Sequence, residues 1–204
     1  MARDRAAAEK ASNGITVARV YAWDGPWVSL GRFQHPEKDL VAGTLVPYVM
    51  RPTGGRAVLH GHDVTIGMAV PYSAFGGSAR EVKKAYRAVA APIIEALREC
   101  GVKAQLGEKT KHVGGELRSS DCFAINSVND ILDEESGRKI CGCALRLFEH
   151  AVLVQASIPN GVPLVDSGSV IVGSSFEVTP EWDSGSFPSC LEAALRYNFS
   201  HVPA

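Results

Sequence analysis

The apolar residues of the chain form several short runs rich in β-branched and aromatic side chains, which are typical of strands. Partial alternation with polar residues marks the runs at residues 17–23, 27–31, 139–147 and 151–158. Two more strands, at residues 58–59 and 65–70, are predicted to pair through the polar Gly61-His62-Asp63. A strand at residues 129–133 is expected to form a hairpin with the run that follows it, because Glu134 to Gly137 has turn composition.

Helical spacing of apolar residues is clearest after Ser78. Ser78 and Glu81 have the spacing of a capping box, and Gly101 predicts a C-terminal cap. Pro92 predicts a kink within this helix. Two shorter helices are predicted at residues 6–10 and 189–197. Strands and helices do not alternate regularly, which favours an α+β fold with a mixed, largely antiparallel sheet and flanking helices.

Composition and charge exclude several classes of protein. The chain has 204 residues, 46% of them hydrophobic, and we expect one domain over residues 1–204. The net charge of −1 does not favour nucleic acid as a partner. We expect no membrane span and no signal peptide, because the necessary apolar runs are missing. Five irregularly spaced cysteines predict reduced thiols and a cytoplasmic location.

The stretch from Arg51 to His60 is the first candidate for a ligand site. It places Gly54 and Gly55 between Arg51 and Arg56. Glycine has no Cβ, so a ligand can lie against the backbone, and arginine offers a planar set of donors for oxygen atoms. These residues predict a pocket wall for a polar, extended ligand. An exposed turn with two solvated arginines is the alternative.

The second candidate region contains Cys122 and the Gly137–Ala144 segment. A cysteine becomes a good nucleophile when a nearby cation stabilises its thiolate, and Lys139 is such a cation. A lysine can also stabilise the oxyanion formed when a carbonyl is attacked. Spacing alone does not show that Cys122 and Lys139 meet in space. The alternatives are that Cys122 is a buried structural residue and that the segment of Lys139 is a solvated turn.

Two further groups of residues give weaker indications of a functional site. The pairs His60-x-His62 and Cys141-x-Cys143 offer zinc-type ligands, but no carboxylates that would orient them are evident, so we expect no metal site. Residues 101–118 are rich in Gly, Lys and Glu and are typical of a mobile surface segment, which could also contact a partner.

Together, the Arg51–His60 and Gly137–Ala144 stretches resemble the biotin/lipoate protein ligase superfamily. The likeness is closer to its cysteine-dependent octanoyltransferases and lipoyl amidotransferases than to its ligases. Residues 19–23 and 28–34 match further motifs of that family, and Asp121-Cys122-Phe123 falls where the transferases carry their nucleophile. The resemblance covers about residues 1–160.

This resemblance implies a fold like that of class II aminoacyl-tRNA synthetases and biotin synthetase, without an accessory C-terminal domain. It implies an apolar tunnel for an acyl chain, with Cys122 as the acyl-accepting nucleophile and Lys139 in contact with the acyl carbonyl. The implied substrate-binding residues are Arg51, Gly54, Gly55, Arg56, His60 and Gly142. Among them, His60 is expected at the rim of the pocket, and Gly142 is expected to allow close backbone approach beside Lys139.

The implied activity is transfer of an octanoyl or lipoyl group to a lysine of a lipoyl domain through a cysteine thioester. The donor would be octanoyl-acyl carrier protein or a lipoyl protein. The acceptor would be the glycine cleavage H protein or the lipoyl-bearing subunit of a 2-oxoacid dehydrogenase. No ATP, metal or other cofactor is expected, because a thioester is already activated. We expect a monomer.

The sequence departs from the family pattern at two places, and alternative functions therefore stay open. Met50 stands where the family commonly has the first arginine of a pair, which argues against an ATP-dependent lipoate or octanoate ligase without excluding it. Cys141 and Cys143 stand where small residues are usual. A non-catalytic module that binds acyl carrier or lipoyl proteins is the third hypothesis.

Overall fold

In the part of the chain that the structure describes, six strands form an antiparallel central sheet. The structure is a computed structural model, and its described residues are 2–79, 81–109, 111, 114–115, 118–175 and 178–199. Across the sheet the strands are β1 (Val17–Tyr21), β5 (Asp63–Pro71), β11 (Ala151–Pro159), β10 (Lys139–Leu147), β9 (Ile131–Asp133) and β6 (Ala104–Leu106). The expected mixed, largely antiparallel sheet with flanking helices is confirmed, and so is the hairpin of β9 with β10.

A smaller sheet lies beside the central one. Its strands are β3 (Tyr48–Met50), β2 (Trp27–Leu30) and β4 (Val58–His60), with β2 parallel to β3 and antiparallel to β4. A short pair, β7 (Gly114–Gly115) and β8 (Ile125–Asn126), forms separately. The predicted hairpin of residues 58–59 with 65–70 is therefore wrong. The chain changes sheets at Gly61, and the partner of β4 comes from about 30 residues upstream.

Helices cover both faces of the central sheet. The α-helices of the described residues are α1 (Ala2–Ser12), α2 (Pro36–Asp39), α3 (Val82–Glu99) and α4 (Phe187–Phe199), and α1, α3 and α4 pack over the central sheet. Short 3₁₀ helices span Tyr72–Phe75, Gly107–Lys109 and Ser167–Ser169. The helices α3 and α4 pack together over the main core, whereas α1 packs on β5 and β11 from the opposite face. Within the described residues, none of the helices has the length and apolar character needed to cross a membrane.

The long helix α3 begins later than the sequence predicts. It starts at Val82, with Glu81 as the N-cap and no side-chain cap bond. The Ser78 hydroxyl donates to the Glu81 carboxylate at 3.0 Å rather than accepting from a backbone amide, so the predicted capping box is wrong. The predicted cap at Gly101 is confirmed by its φ of +81°, a left-handed conformation that favours glycine. The helix runs continuously through Pro92.

The segment from residue 101 to 118 is only partly a surface loop. Its residues Ala104–Leu106 form the edge strand β6, which pairs with β9. The prediction of a mobile loop is wrong for this strand, because Ala104 and Leu106 bury their side chains in the main core. Residues 110, 112–113 and 116–117 lie outside the described part, so the prediction is not tested there.

The central strands carry polar residues on the face away from α3. Along β11, Gln155 donates to Asp4 of α1 at 2.9 Å, and Ser157 donates to Asp63 at 2.6 Å. A Cβ at Gly67 of β5 would lie 2.5 Å from a carboxylate oxygen of Asp4, so glycine permits α1 to approach the sheet. These polar positions interrupt otherwise apolar strands and mark the side of the sheet on which the candidate site lies.

Candidate active site

Backbone pairing joins the glycine-rich loop after β3 to the segment that carries Cys122. The amide of Ala57 donates to the carbonyl of Ser120 at 2.9 Å, and the amide of Cys122 donates to the carbonyl of Ala57 at 2.8 Å. These bonds form a short parallel bridge between Ala57 and Asp121. The two regions that the sequence singled out are therefore neighbours in space.

Side chains also anchor the Cys122 segment on both of its sides. The Asp121 carboxylate accepts from the amide of Phe123 at 2.9 Å and from the hydroxyl of Ser174. The Ser120 hydroxyl donates to Asp39 at 2.7 Å. Cys122 is half-buried between these anchors, so its thiol is held in a defined position.

Lys139 meets Cys122 directly. Its Nζ lies 3.3 Å from the Sγ of Cys122 and 2.8 Å from the carbonyl oxygen of the same residue. It also donates to the carbonyl of Ile125 at 3.2 Å and lies 2.8 Å from a carboxylate oxygen of Asp130. The structure thus brings together the two residues whose contact the sequence left open.

The surroundings of Lys139 keep its ammonium charged. Burial by itself lowers the pKa of Lys139, but the negative charges of Cys122 and Asp130 and their hydrogen bonds outweigh it and raise the pKa above its ordinary value. Sequence reasoning missed Asp130, which it treated only as part of a strand. The available signal was a carboxylate just before an apolar strand whose hairpin partner starts with a lysine.

Arg51 turns inward and holds the glycine-rich loop. Its Nη2 donates to the carbonyls of Gly54 at 2.8 Å and Arg56 at 2.6 Å, and its Nε donates to Gly54 at 3.2 Å. Its Nη1 donates to the carbonyl and hydroxyl oxygens of Ser29 at 2.8 Å and 3.3 Å. Arg51 as a whole residue is 5% exposed. Arg51 therefore shapes the wall from behind, and Arg56 contributes its backbone carbonyl.

Glycines allow the backbones of the site to pack closely. Gly55 has a φ of +85°, and a Cβ there would lie 3.0 Å from Nη2 of Arg51. A Cβ at Gly142 would lie 3.1 Å from Sγ of Cys122 and 3.3 Å from Cε of Lys139. Because Gly142 has no Cβ, the side chains of Cys122 and Lys139 can pack directly against its backbone.

His60 lies inside the wall of the site rather than at a rim. It is 3% exposed, and its Nδ1 and Nε2 lie 2.8 Å from a carboxylate oxygen of Asp63 and 2.8 Å from the hydroxyl of Ser29. Its ring stacks on Trp23 with centroids 4.4 Å apart. Burial raises the pKa of Asp63, but hydrogen bonds from His60 and its neighbours outweigh this and lower it. Sequence reasoning did not single out Ser29 or Asp63.

Two cavities border the pair formed by Cys122 and Lys139. The first, here called the slot, has a volume of about 30 Å³, and its walls include Tyr21, Trp23, Val58, His60, Cys122 and Ala144. The second, here called the cleft, has a volume of about 820 Å³, and its walls include His62, Asp121, Phe123, Arg138 and Lys139. Cys122 lines the slot and Lys139 lines the cleft, so the pair stands where the two meet.

The two pairs considered as zinc ligands, Cys141-x-Cys143 and His60-x-His62, do not form one group. The Sγ atoms of Cys141 and Cys143 are 3.7 Å apart, and both side chains pack against the core on the α3 side of the sheet. His60 and His62 border the slot and the cleft on the other side. Within the described ranges, no three His, Cys, Asp or Glu residues form a group that could hold a metal ion.

A matched pair of substitutions tests the packing of the loop. A Cβ at Gly31 would lie 2.0 Å from the carbonyl oxygen of Gly55, whereas a Cβ at Gly54 has its nearest neighbour at 4.0 Å. We expect Gly31→Ala to cost about 1–3 kcal/mol and to displace the loop. Gly54→Ala should stay within about 0.5 kcal/mol of the original protein. Urea unfolding measures both, and equal stabilities would contradict the packing described for Gly31.

Sequence comparison identifies the family. Residues 1–174 match the lipoyl protein ligase A/B catalytic domain. The chain belongs to this family. It is 33% identical to octanoyltransferase LipM of Exiguobacterium sp. over 172 residues, which cover 79% of this chain and 61% of that protein. It is 32% identical to octanoyltransferase LipM of Bacillus subtilis over 150 residues, covering 70% and 53%. The chain spans about three fifths of the length of curated relatives that it matches.

Solved structures of lipoate-protein ligases share the fold. A lipoate-protein ligase A bound with ATP superposes with a TM-score of 0.72 at 21% identity, covering 98% of this chain and 79% of that one. A bi-partite lipoate protein ligase of Thermoplasma acidophilum gives a TM-score of 0.69 at 17% identity, with coverage of 98% and 79%. The resemblance stated from the motifs is therefore confirmed at the level of family and fold.

Proposed function

We propose that this chain transfers an octanoyl group in lipoate assembly, with Cys122 as the nucleophile. The observation that carries the proposal is the distance of 3.3 Å between Nζ of Lys139 and Sγ of Cys122. A buried cation in hydrogen-bonding contact with sulfur favours the reactive thiolate. The similarity to proteins named octanoyltransferase supports the choice of acyl group.

In the first step, the Cys122 thiolate attacks the thioester carbonyl of octanoyl-acyl carrier protein. A C–S bond to Cys122 forms, and the carbonyl oxygen becomes an oxyanion. The C–S bond to the carrier then breaks, and the carrier leaves as a thiolate that takes up a proton. Lys139 stabilises the oxyanion. The ammonium of Lys139 has three N–H donors, and the oxyanion must compete for them with the oxygen and sulfur atoms that already lie within 3.3 Å of Nζ.

In the second step, a neutral lysine amine of a lipoyl domain attacks the acyl-enzyme. A C–N bond forms, the amine loses a proton to the solvent, and the C–S bond to Cys122 breaks. The products are the octanoyl amide and the regenerated thiolate. The cleft on the Lys139 side has a volume of about 820 Å³, which is within the usual size of ligand pockets, and we propose that it admits the acceptor lysine or the arm of a carrier.

The slot on the Cys122 side is the candidate location for the acyl chain. Its volume of about 30 Å³ is close to that of one water molecule in the liquid. Binding of an eight-carbon chain therefore requires the walls of the slot to move apart. Arg51, Gly54, Gly55, Arg56, His60 and Gly142 are proposed to bind substrate by shaping these walls.

The proposed partners follow from the chemistry of the two steps. The donor is octanoyl-acyl carrier protein, and a lipoyl protein as donor would make the same chemistry an amidotransfer. The acceptor is a lipoyl domain, and the related Thermoplasma ligase is described together with a lipoyl domain. We propose a monomer that works in the cytoplasm, without ATP or a metal.

Incubation with octanoyl-acyl carrier protein, without ATP, tests this function. We expect intact-mass measurement to show one octanoyl group on the protein, followed by its transfer when a lipoyl domain is added. Modification of the lipoyl domain only with free octanoate and ATP would instead indicate a ligase. Binding of both partners without any acyl transfer would indicate a non-catalytic module.

A further inference from the structure

Lys139 contacts the sulfur of Cys122, and Arg51 lines the same slot as Cys122. These two buried cations differ in how their charge is balanced. The side chain of Lys139 is 4% exposed and lies 2.8 Å from the carboxylate of Asp130. Arg51 is 5% exposed, and among the described residues its contacts are the carbonyls of Gly54, Arg56 and Ser29 and the Ser29 hydroxyl. These acceptors are neutral, so they satisfy the N–H groups but leave a full positive charge buried.

A buried charge without a counter-charge is costly, because low-dielectric surroundings do not screen it. Arg51 and Cys122 both line the slot, whose volume is about 30 Å³, so a thiolate at Cys122 would be an anion close to the guanidinium. Burial lowers the pKa of Arg51, and the negative charge of Cys122 opposes this shift.

We infer that Arg51 supplies a second positive charge, in addition to that of Lys139, that stabilises the Cys122 thiolate, while Asp130 offsets part of the charge of Lys139. The inference rests on the proposed function, since it concerns Cys122 as a thiolate nucleophile. Arg51 then has two tasks, because the same guanidinium holds the glycine-rich loop and sets the electrostatic potential at the sulfur. It acts through Cys122 and is a positioning residue.

Other titratable groups near Cys122 do not supply this charge. Burial raises the pKa of Tyr86 on α3 to about 12, so its hydroxyl stays neutral at working pH. Burial lowers the pKa of His62, which keeps that imidazole neutral near pH 7. Asp121 is an acceptor for Phe123 and Ser174, and its charge would oppose a thiolate rather than balance it.

The rate of alkylation by iodoacetamide, measured across pH 5 to 10 and mapped to Cys122, tests the inference without any acyl substrate. Arg51→Gln should raise the pH midpoint of alkylation by about one unit or more, because a nearby cation is lost. Below that midpoint the rate should fall about tenfold per unit. Arg51→Lys keeps the charge but loses the planar set of donors. It should therefore retain a midpoint near the original while losing stability.

Asp130→Asn provides a test that does not disturb Arg51 and its loop. The amide is nearly the same size and its oxygen can still accept a hydrogen bond from Lys139, so the variant should lose less stability than Lys139→Ala. Loss of the carboxylate leaves two uncompensated cations beside Cys122, and the alkylation midpoint should fall. If Asp130 served only to position Lys139, the midpoint would rise or stay unchanged.

Two outcomes overturn the inference: an unchanged midpoint in folded Arg51→Gln, or a midpoint in Asp130→Asn that does not fall. If Arg51→Gln fails to fold, Arg51→Met is measured in its place, and an unchanged midpoint in that variant overturns the inference. Cys122→Ser supplies the background from the other four cysteines. Acyl transfer is measured separately on the same variants. A protein with the expected midpoints but no octanoyl-enzyme would contradict the proposed function and leave this inference standing.

Discussion

Replacing Cys122 with serine should abolish the octanoyl-enzyme and lower octanoyl transfer on the order of 10⁴-fold or more, as loss of a covalent nucleophile does. The physical reason is that a hydroxyl at this position stays protonated, whereas the sulfur lies 3.3 Å from the Lys139 ammonium and can ionise. Single-turnover transfer from octanoyl-acyl carrier protein and intact-mass measurement give the rate and the adduct. Peptide mapping should locate one hydroxylamine-sensitive octanoyl group on Cys122.

The matched control is Cys190→Ser, which changes a thiol on α4, away from the slot and the cleft. This variant should form the octanoyl-enzyme at the rate of the unmodified sequence. An adduct found only on Cys100, Cys141, Cys143 or Cys190 would remove Cys122 from the mechanism. Undiminished, ATP-dependent modification of a lipoyl domain by Cys122→Ser would favour the ligase hypothesis.

Lys139→Ala should slow acylation of Cys122 on the order of a hundredfold or more, as removal of an oxyanion stabiliser does. It should also destabilise the fold, because Asp130 is left buried at 7% side-chain exposure without its partner. Breaking one side of a buried ion pair costs about 3–5 kcal/mol. Lys139→Arg should not fully restore the rate, since a planar fork does not replace a point charge. Stopped acylation reactions and urea unfolding measure the two effects.

A paired substitution separates the two effects. Lys139→Met combined with Asp130→Leu replaces the ion pair by apolar side chains of similar size. Such a replacement is often neutral for stability, so the double variant should regain much of the lost unfolding free energy. It should not regain the acylation rate, because the ammonium of Lys139 no longer contacts the sulfur or the oxyanion that forms there. Near-normal turnover in Lys139→Ala, or recovery of turnover in the double variant, would reject the role of Lys139.

Most strands and helices could be predicted because each depends on residues close together in the sequence. The pattern of β10 and β11 predicted their positions to within one residue, and the turn residues between β9 and β10 predicted their pairing. The same reasoning failed for residues 58–70. The polar turn there is real, but β4 finds its partner in β2, and local alternation carries no information about which sheet a strand joins.

The candidate site could be predicted only in outline. The motifs pointed to Cys122, Lys139 and the glycine-rich loop, and the structure brings these together. Their assignment as catalytic or substrate-binding residues stays a prediction. Asp130 and Gly31 were not recognised as parts of the site. Each owes its importance to one close neighbour, a lysine ammonium for Asp130 and a carbonyl oxygen for Gly31, that local patterns do not reveal.

The sequence by itself determined the family, most of the longer strands and helices and the residues able to do cysteine chemistry, because motifs and periodicity are local properties. Only the tertiary structure decided how the charges of the site are distributed. Lys139 contacts Cys122, which lies 17 positions earlier in the sequence, and Arg51 donates to Ser29, which lies 22 positions earlier. Thr53 donates to Gln155 across 102 positions. Burial joins such distant groups, and in a low dielectric their charges and hydrogen bonds must be satisfied by whichever neighbours the fold supplies.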